Sequence, residues 1–372
     1  MDWINRCSYP KVILSKIITV MEEAKKHGVL LEKTERNFEE LGVLNPAIYQ
    51  DGNTVHMFYR AAKKGNFSTI GYCRFEGPTT LVERRSNPIF LPEYIYEIHG
   101  VEDPRITKID DLYYMTYVTY DGLNACGAFA VSKDLVKFKK KGIITPRFIL
   151  NEFTNLIRNH LQNPSIAKIL AFNTERNYPL TETMKEHLYV WDKNVVLFPK
   201  KINGKFVALH RLFPSIQIVT FEKKSELTED FWKNYLKDLP SHIVMEPKFD
   251  HETSHIGPGA PPIETADGWL LIYHAAERRE KGLVYHACAV LLDLENPAKV
   301  IGRLPKPIIT PSEYYERHGY VNYVVFPTGT AIFDDRLYIY YGAADDKIAV
   351  ASLNLNELLT ELKMNSHENN IK

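Results

Sequence analysis

Cysteine is scarce in this 372-residue chain: four residues, Cys7, Cys73, Cys126 and Cys288, with no CxxC pair among them. That scarcity argues against a cysteine zinc site and against a disulfide-stapled secreted fold. An excess of charge is lacking too, since 46 Lys and Arg balance 46 Asp and Glu, and basic residues form no long runs. Neither nucleic acid nor an anionic membrane surface is therefore implied as a partner. No apolar run is long enough to cross a bilayer. The opening residues 1–7 lack the basic, apolar and small-residue regions of an export leader, so the expectation is a cytoplasmic protein. What is there is ordinary globular composition, 45% hydrophobic and 25% charged, enough for a large core in one or two domains.

From about Lys11 to Leu41 apolar residues recur at helical spacing among Lys and Glu, which predicts an N-terminal helical extension over residues 1–41. After it the period changes to two. Asn45–Ile48, a turn at Asp51-Gly52-Asn53, Val55–Arg60 and Thr69–Arg74 predict a strand unit. The unit recurs from Glu102 to Ser132, from Asn194 to Phe221, from Ala260 to Leu292 and from Val325 to Leu353. One small sheet cannot hide both of its faces until neighbours cover it, so five serial units predict an all-β, five-bladed β-propeller over 42–354. Two sandwich domains in series would also give serial strands, but not a recurring first strand bearing proline or small residues. A helical insertion interrupts the repeat at about 151–190, and an insertion of that length is usually functional or an interaction surface. Leu227–Leu239 predicts a second inserted helix, and residues 355–372 a C-terminal helix and tail. These helical segments are where a homo-oligomer would form.

The most informative stretch is His99-Gly-Val-Glu-Asp-Pro-Arg105. Pro104 has no N–H and biases Asp103 towards extended backbone, which predicts Asp103 at the start of a strand. Asp103 and Arg105 alone could be an ion pair fixing a turn. Glu102 should point away from Asp103 by strand alternation, as a contact between blades. In a propeller the first strands line a central channel, so Asn45, Arg60, Asp103, Arg105, Asn194, Arg211, His255, His274 and Asp345 should converge. A channel so rich in donors and acceptors suits a sugar. Arg60 and Arg211 in strand interiors point the same way, because an unpaired inward Arg is costly in a core. The 22 Tyr, 18 Phe and 4 Trp offer stacking platforms, though aromatics also fill cores. Gly257 and Gly259 permit an unusual backbone path but are weak evidence for a phosphate cradle.

Gly100–Arg105, Asn194–Arg211, Ile256–Ile263 with Gly268–His274, and Tyr340–Asp345 resemble, in order, the serial motifs of glycoside hydrolase family 130, the β-mannoside phosphorylases and β-1,2-mannosidases. The resemblance covers roughly Asn45 to Leu353. It implies a five-bladed propeller acting on a small carbohydrate without a metal or cofactor. It also implies Asp103 as catalytic acid, with Asn45, Arg60, His274 and Asp345 at the sugar; Arg105 lines the same channel and is grouped with them. The physical logic agrees, since a glycosidic oxygen leaves poorly until protonated and a desolvated aspartic acid can stay protonated near neutral pH. Attack from the opposite face gives inversion.

In the family's phosphorylases, inorganic phosphate is the co-substrate and basic residues hold it. The matching positions here are Lys193, Asn194, Arg211 and His255. Lys193 lacks the bidentate fork that suits phosphate, His255 is fully charged only below its pKa, and Leu212 replaces the usual proline. The favoured reading is an inverting phosphorylase releasing mannose 1-phosphate. The alternative is an inverting β-1,2-mannosidase with Glu252 as the base that activates water, although Glu252 read plainly is a solvated loop carboxylate. A non-catalytic carbohydrate-binding propeller is a second alternative, and a metal-assisted hydrolase a weaker one.

Overall fold

A computed structural model describes residues 21–174 and 187–367. The described residues form 21 strands, beginning with β1 (Lys25–Leu31). Five four-stranded antiparallel units then follow one another. The first is β2 (Gly42–Asp51), β3 (Thr54–Lys63), β4 (Phe67–Glu76) and β5 (Thr80–Arg84), and the second β6 (Gly100–Ile109), β7 (Leu112–Tyr120), β8 (Ala125–Ser132) and β9 (Lys139–Ile143). The third is β10 (Asp192–Leu197), β11 (Phe206–Leu212), β12 (Ile216–Phe221) and β13 (Ile243–Met245). In the fourth the first strand is split into β14 (His255–Pro258) and β15 (Ile263–Thr265), followed by β16 (Gly268–Arg279), β17 (Gly282–Leu292) and β18 (Val300–Arg303). The fifth is β19 (Val325–Phe333), β20 (Arg336–Ala343) and β21 (Lys347–Asn354), with β1 as its outer strand.

The position of β1 corrects the expected N-terminal helices. Lys25–Leu31 pairs antiparallel with β21, Lys25 opposite Ser352 and Leu31 opposite Ile348. An outer strand buries only part of one face, so its lysines and Gly28 imitate a polar helix in the sequence. Within Asn37–Glu39 only a short 3-10 turn forms, and the predicted helical residues 11–20 lie outside the described residues. The insertion contributes the helices Leu150–Ile157 and Pro164–Thr174, with residues 175–186 outside the described residues. The helices Glu229–Lys237 and Leu355–His367 occur where expected. No described helix is long and apolar enough to cross a membrane.

Side chains alternate across each strand, and here both faces meet a neighbouring unit. Phe58 packs between units one and two with Val101 and Tyr117, whereas the adjacent Met57 packs against Tyr340 and Val350 of unit five. Leu271 joins unit four to Leu209 of unit three, and Leu270 joins it to Ile339 of unit five. Ile109 and Phe129 of unit two meet Val195 and Ala208 of unit three, and the insertion's Phe153, Ile166 and Ile169 share that core. The five cores therefore succeed one another cyclically, the last returning to the first unit. Burial on both faces explains why strands such as Trp269–Tyr273 are apolar without interruption.

A buried glutamate recurs in four units. Glu39, Glu97, Glu252 and Glu316 each close a single helical turn, are fully buried, and accept the hydroxyl of a tyrosine on the unit's second strand: Tyr59, Tyr117, Tyr273 and Tyr341, at 2.7–2.8 Å. Each also pairs with a cation from the outer strand: Arg84, Lys140, Arg303 and Lys26 respectively. In unit three His210 replaces the tyrosine and lies 2.8 Å from both Asp192 and the Tyr235 hydroxyl. Removing one member of such a buried pair strands a charge, at a cost of about 3–5 kcal/mol. The next residue along each second strand turns the opposite way. Those residues include Arg60, Arg211 and His274, which is how strand alternation carries these three side chains to a common centre.

Candidate active site

Inner strands β2, β6 and β10 share a distortion. Each has a bulge in its pairing, and Asn45, Asp103 and Asn194 there take positive φ of 52°, 48° and 59°. Asn and Asp are the non-glycine residues that best tolerate this conformation. Asp103 thus lies within β6 rather than at its start. The left-handed residue also cancels the alternation expected of Glu102, so that both carboxylates face Arg60. Arg60 donates to Glu102 at 2.8 Å and stands 3.7 Å from Asp103 Oδ1, which also accepts from Asn45 Nδ2 at 2.7 Å.

All five units contribute. Unit one supplies Asn45 and Arg60, unit two Glu102, Asp103 and Arg105, and unit three Lys193, Asn194 and Arg211. Unit four supplies His255 and His274, and unit five Asp345. Lys193 and Arg211 face each other in register across β10 and β11. Arg105 reaches across to the Gly259 carbonyl through Nε and donates through Nη1 to the Asp103 and Pro104 carbonyls. Glu252 is the exception: it is locked to Tyr273, Arg303 and the Lys248 and Phe249 amides. Every lone pair it could use on a water is engaged in the frame, so the expected base role is overturned.

Burial and charge set the protonation of the cluster. Burial raises Asp103, but Arg60, Lys193, Arg105 and the Asn45 hydrogen bond outweigh it and hold the carboxyl below its usual range. The charges around Asp103 thus oppose the desolvation that was expected to keep it protonated. Burial lifts Glu102 against the pull of Arg60, and brings Arg105 down to about 10. His255 and His274 fall well below the usual histidine range, through burial and then the Arg211 charge, so His255 is a neutral ligand rather than a cation. Arg211 Nη1 can only donate, and it lies 3.1 Å from His274 Nε2. His274 therefore accepts there and carries its proton on Nδ1.

One side of this cluster lacks anions. Among the described residues no carboxylate lies within ion-pair distance of Arg105, Lys193 or Arg211. Arg105 Nη2, Asn194 Nδ2, His255 Nε2 and His274 Nδ1 are buried without hydrogen-bond partners. Unmet buried polar groups each cost about 1–3 kcal/mol, and these four atoms, beside Lys193 and Arg211, are chemically suited to the oxygens of an anion. No group of three His, Cys, Asp or Glu residues suited to a metal ion occurs among the described residues.

The family profile of glycoside hydrolase family 130, described as β-1,4-mannooligosaccharide phosphorylase, matches residues 21–364. The chain belongs to glycoside hydrolase family 130. Among similar relatives is a 1,2-β-oligomannan phosphorylase of Thermoanaerobacter sp., 35% identical over 89% of this chain and 96% of its own length. A β-1,2-mannobiose phosphorylase of the same organism is 34% identical over 85% of this chain and 91% of its own. The solved β-1,2-mannobiose phosphorylase of Listeria innocua, in complex with β-1,2-mannobiose, shares the fold with a TM-score of 0.67 at 21% identity, covering 92% of this chain and 99% of its own.

Of four supporting residues in this family 130 chain, sequence reasoning missed Gly342 and Tyr285 and gave Gly257 and Glu102 other roles. A Cβ on Gly257 would lie 2.5 Å from His274 and 2.9 Å from Arg211 Cδ, and one on Gly342 would lie 2.4 Å from Asn45 Oδ1. These glycines serve close approach rather than a left-handed turn. Tyr285 packs edge-on to His255 and beside His274. Glu102 is the fourth; its signal was the Asp-Pro pair that follows it, matching Asn45-Pro46.

Asp345 titrates in the useful range. Burial pushes it up to about 6, with Arg60 opposing and Asp103 reinforcing. A carboxylate that holds sugar hydroxyls acts ionised, so the KM for a mannoside should rise as pH falls below 6. Asp345→Asn should remove that dependence. The sign for stability is opposite. The raised folded value means ionisation above pH 6 costs stability, about 1–2 kcal/mol after discounting for partial exposure. Asp345→Asn should therefore raise the melting temperature at pH 8 and leave it unchanged at pH 4, measured by thermal denaturation.

Proposed function

We propose that this protein is an inverting β-mannoside phosphorylase on a five-bladed propeller, with Asp103 as general acid and inorganic phosphate as the attacking group. The observation that carries this reading is the anion receptor beside Asp103: Arg105, Lys193 and Arg211 without carboxylate partners, and four buried donors without acceptors. Water needs no such receptor, and Glu252, the base that hydrolysis would use, is committed to the frame. A binding module that never meets an anion would carry the same desolvated donors at a loss. The cyclic succession of cores supports the propeller.

In the reaction Asp103 gives its proton to the glycosidic oxygen, directly or through a sugar hydroxyl, as the bond from that oxygen to C1 breaks. A phosphate oxygen forms the new bond to C1 from the opposite face. The products are mannose 1-phosphate with inverted configuration and a mannoside one unit shorter. Asp103 must be protonated for this step, and phosphate supplies the means. Its negative charge offsets Lys193 and Arg105, two of the cations that depress the carboxyl, so the acid is armed when the nucleophile is bound.

Room for the sugar adjoins these groups. A cavity of about 120 Å³ is lined by Arg60, Asn66, Tyr320 and Asp345. It shares Tyr320 with a cavity of about 840 Å³ that includes Arg279, Lys281 and Tyr323. Tyr320 and Tyr323 are exposed and offer faces for a pyranose. The two relatives above 30% identity that span most of the chain act on β-1,2-linked mannosides, which favours that linkage here. A reaction that keeps the bond energy as a sugar phosphate is useful inside a cell, consistent with a cytoplasmic enzyme. Incubating β-1,2- and β-1,4-mannobiose with and without phosphate tests the proposal. Mannose 1-phosphate should form only with phosphate and fastest from the β-1,2 disaccharide. Free mannose released at the same rate in phosphate-free buffer would overturn it.

A further inference from the structure

The insertion between units two and three ends its second helix against the anion receptor. Helix Pro164–Thr174 is rooted by Ile166 and Ile169, both fully buried in the core between those units. At its C-terminal end two consecutive residues turn to two different neighbours. The ring of Phe172 stacks on Phe213, centroids 3.8 Å apart and planes within 13°. Phe213, two residues after Arg211, lies in turn against His255 at 5.0 Å. Asn173 is buried and accepts from the Trp191 amide at 3.3 Å, while donating to the Ile169 carbonyl at 2.8 Å. The Trp191 indole donates to the Leu123 carbonyl, and the Lys193 ammonium sits 5.3 Å over that ring.

We infer that this helix is a brace that sets phosphate affinity: Phe172 positions His255 through Phe213, and Asn173 positions Lys193 through Trp191. The inference rests on the phosphorylase reading. Neither residue touches the reacting atoms; both are positioning residues. The His255 ring also lies against Tyr285 and His274, with Ser254 Oγ 3.1 Å from Nδ1, and Nε2 has no hydrogen-bond partner. A lysine with four rotatable bonds loses rotamer entropy when its ammonium is fixed, and a cation over an aromatic face is attracted to it. Holding both ligands in place before phosphate arrives lowers the ordering cost of binding. Of the residues expected at the sugar, Asn45, Arg60 and Asp345 lie in units one and five, while His274 stands against His255. The effect should therefore fall chiefly on phosphate.

Steady-state kinetics of Phe172→Ala and Phe172→Tyr test this with inorganic phosphate varied at saturating mannoside, and the converse. Phe172→Ala should raise the phosphate KM about tenfold, leaving the mannoside KM and kcat within twofold. Phe172→Tyr, which keeps the stacked ring, should restore wild-type values. Trp191→Leu should raise the phosphate KM as well. If Phe172→Ala fails to fold, Phe172→Leu keeps the apolar volume without the flat ring and carries the same expectation. A phosphate KM within twofold of wild type, or a mannoside KM rising in step with it, overturns the brace. A wild-type enzyme indifferent to phosphate overturns the phosphorylase reading first, whereas a phosphate-dependent wild type with an indifferent variant overturns the brace alone.

Discussion

Replacing Asp103 with asparagine is expected to lower kcat by roughly 10²–10⁴-fold, the range a positioned general acid supplies, while mannoside binding survives. Asparagine keeps an oxygen that can accept from Asn45 Nδ2, which now stands 2.7 Å from the carboxylate, so the local frame should hold. What is lost is the proton and the negative charge facing Arg60. The loss should be much smaller for a mannoside whose leaving group needs no protonation, such as an aryl mannoside with an acidic phenol. Turnover of natural and aryl substrates by the variant, with binding followed by calorimetry, checks both halves. A variant retaining more than a tenth of wild-type kcat on a mannobiose would remove Asp103 from the catalytic role.

Arg211→Ala should produce the second large effect, a rise of about 10²–10³-fold in the phosphate KM. Truncating one partner of a buried charge contact costs about 2–5 kcal/mol, and Arg211 has a further duty towards His274. Its Nη1 fixes the tautomer of His274, so its loss also frees the proton that His274 would offer the anion. Arg211→Lys keeps the charge without the planar fork and should recover only part of the affinity. The mannoside KM should change far less. Equal rises in both constants would mean that Arg211 orders the whole centre rather than the anion.

Much of this architecture was legible because each unit carries its own turn and its own apolar strands. Asp110-Asp111, Asn203-Gly204 and Asp334-Asp335 each mark a hairpin, and the strands around them fall where period two puts them. The convergence of Asn45, Arg60, Asp103, Arg105, Lys193, Asn194, Arg211, His255, His274 and Asp345 could be expected once the units were taken as cyclic and the family motifs recognised. Three features were hidden for physical reasons. The left-handed Asp103 reverses the side of Glu102, and strand alternation has no way to anticipate a bulge. Glu252 sits beside site residues in sequence, yet its helical turn directs it to Tyr273 and Arg303. A signal did exist, since Glu39 precedes Asn45 by the same six positions by which Glu97 precedes Asp103. The outer strand β1 pairs with residues more than 300 positions away, a distance at which local pattern says nothing.

That last pairing has a consequence for how the molecule is made. Lys25–Leu31 leaves the ribosome early but has nowhere to go until Lys347–Asn354 has followed it. Four of the units have all their strands before this one does, whereas the fifth waits for Lys347–Asn354. The edge of β21 that β1 covers therefore stays open until Lys347–Asn354 has been made, so this pairing comes late in folding.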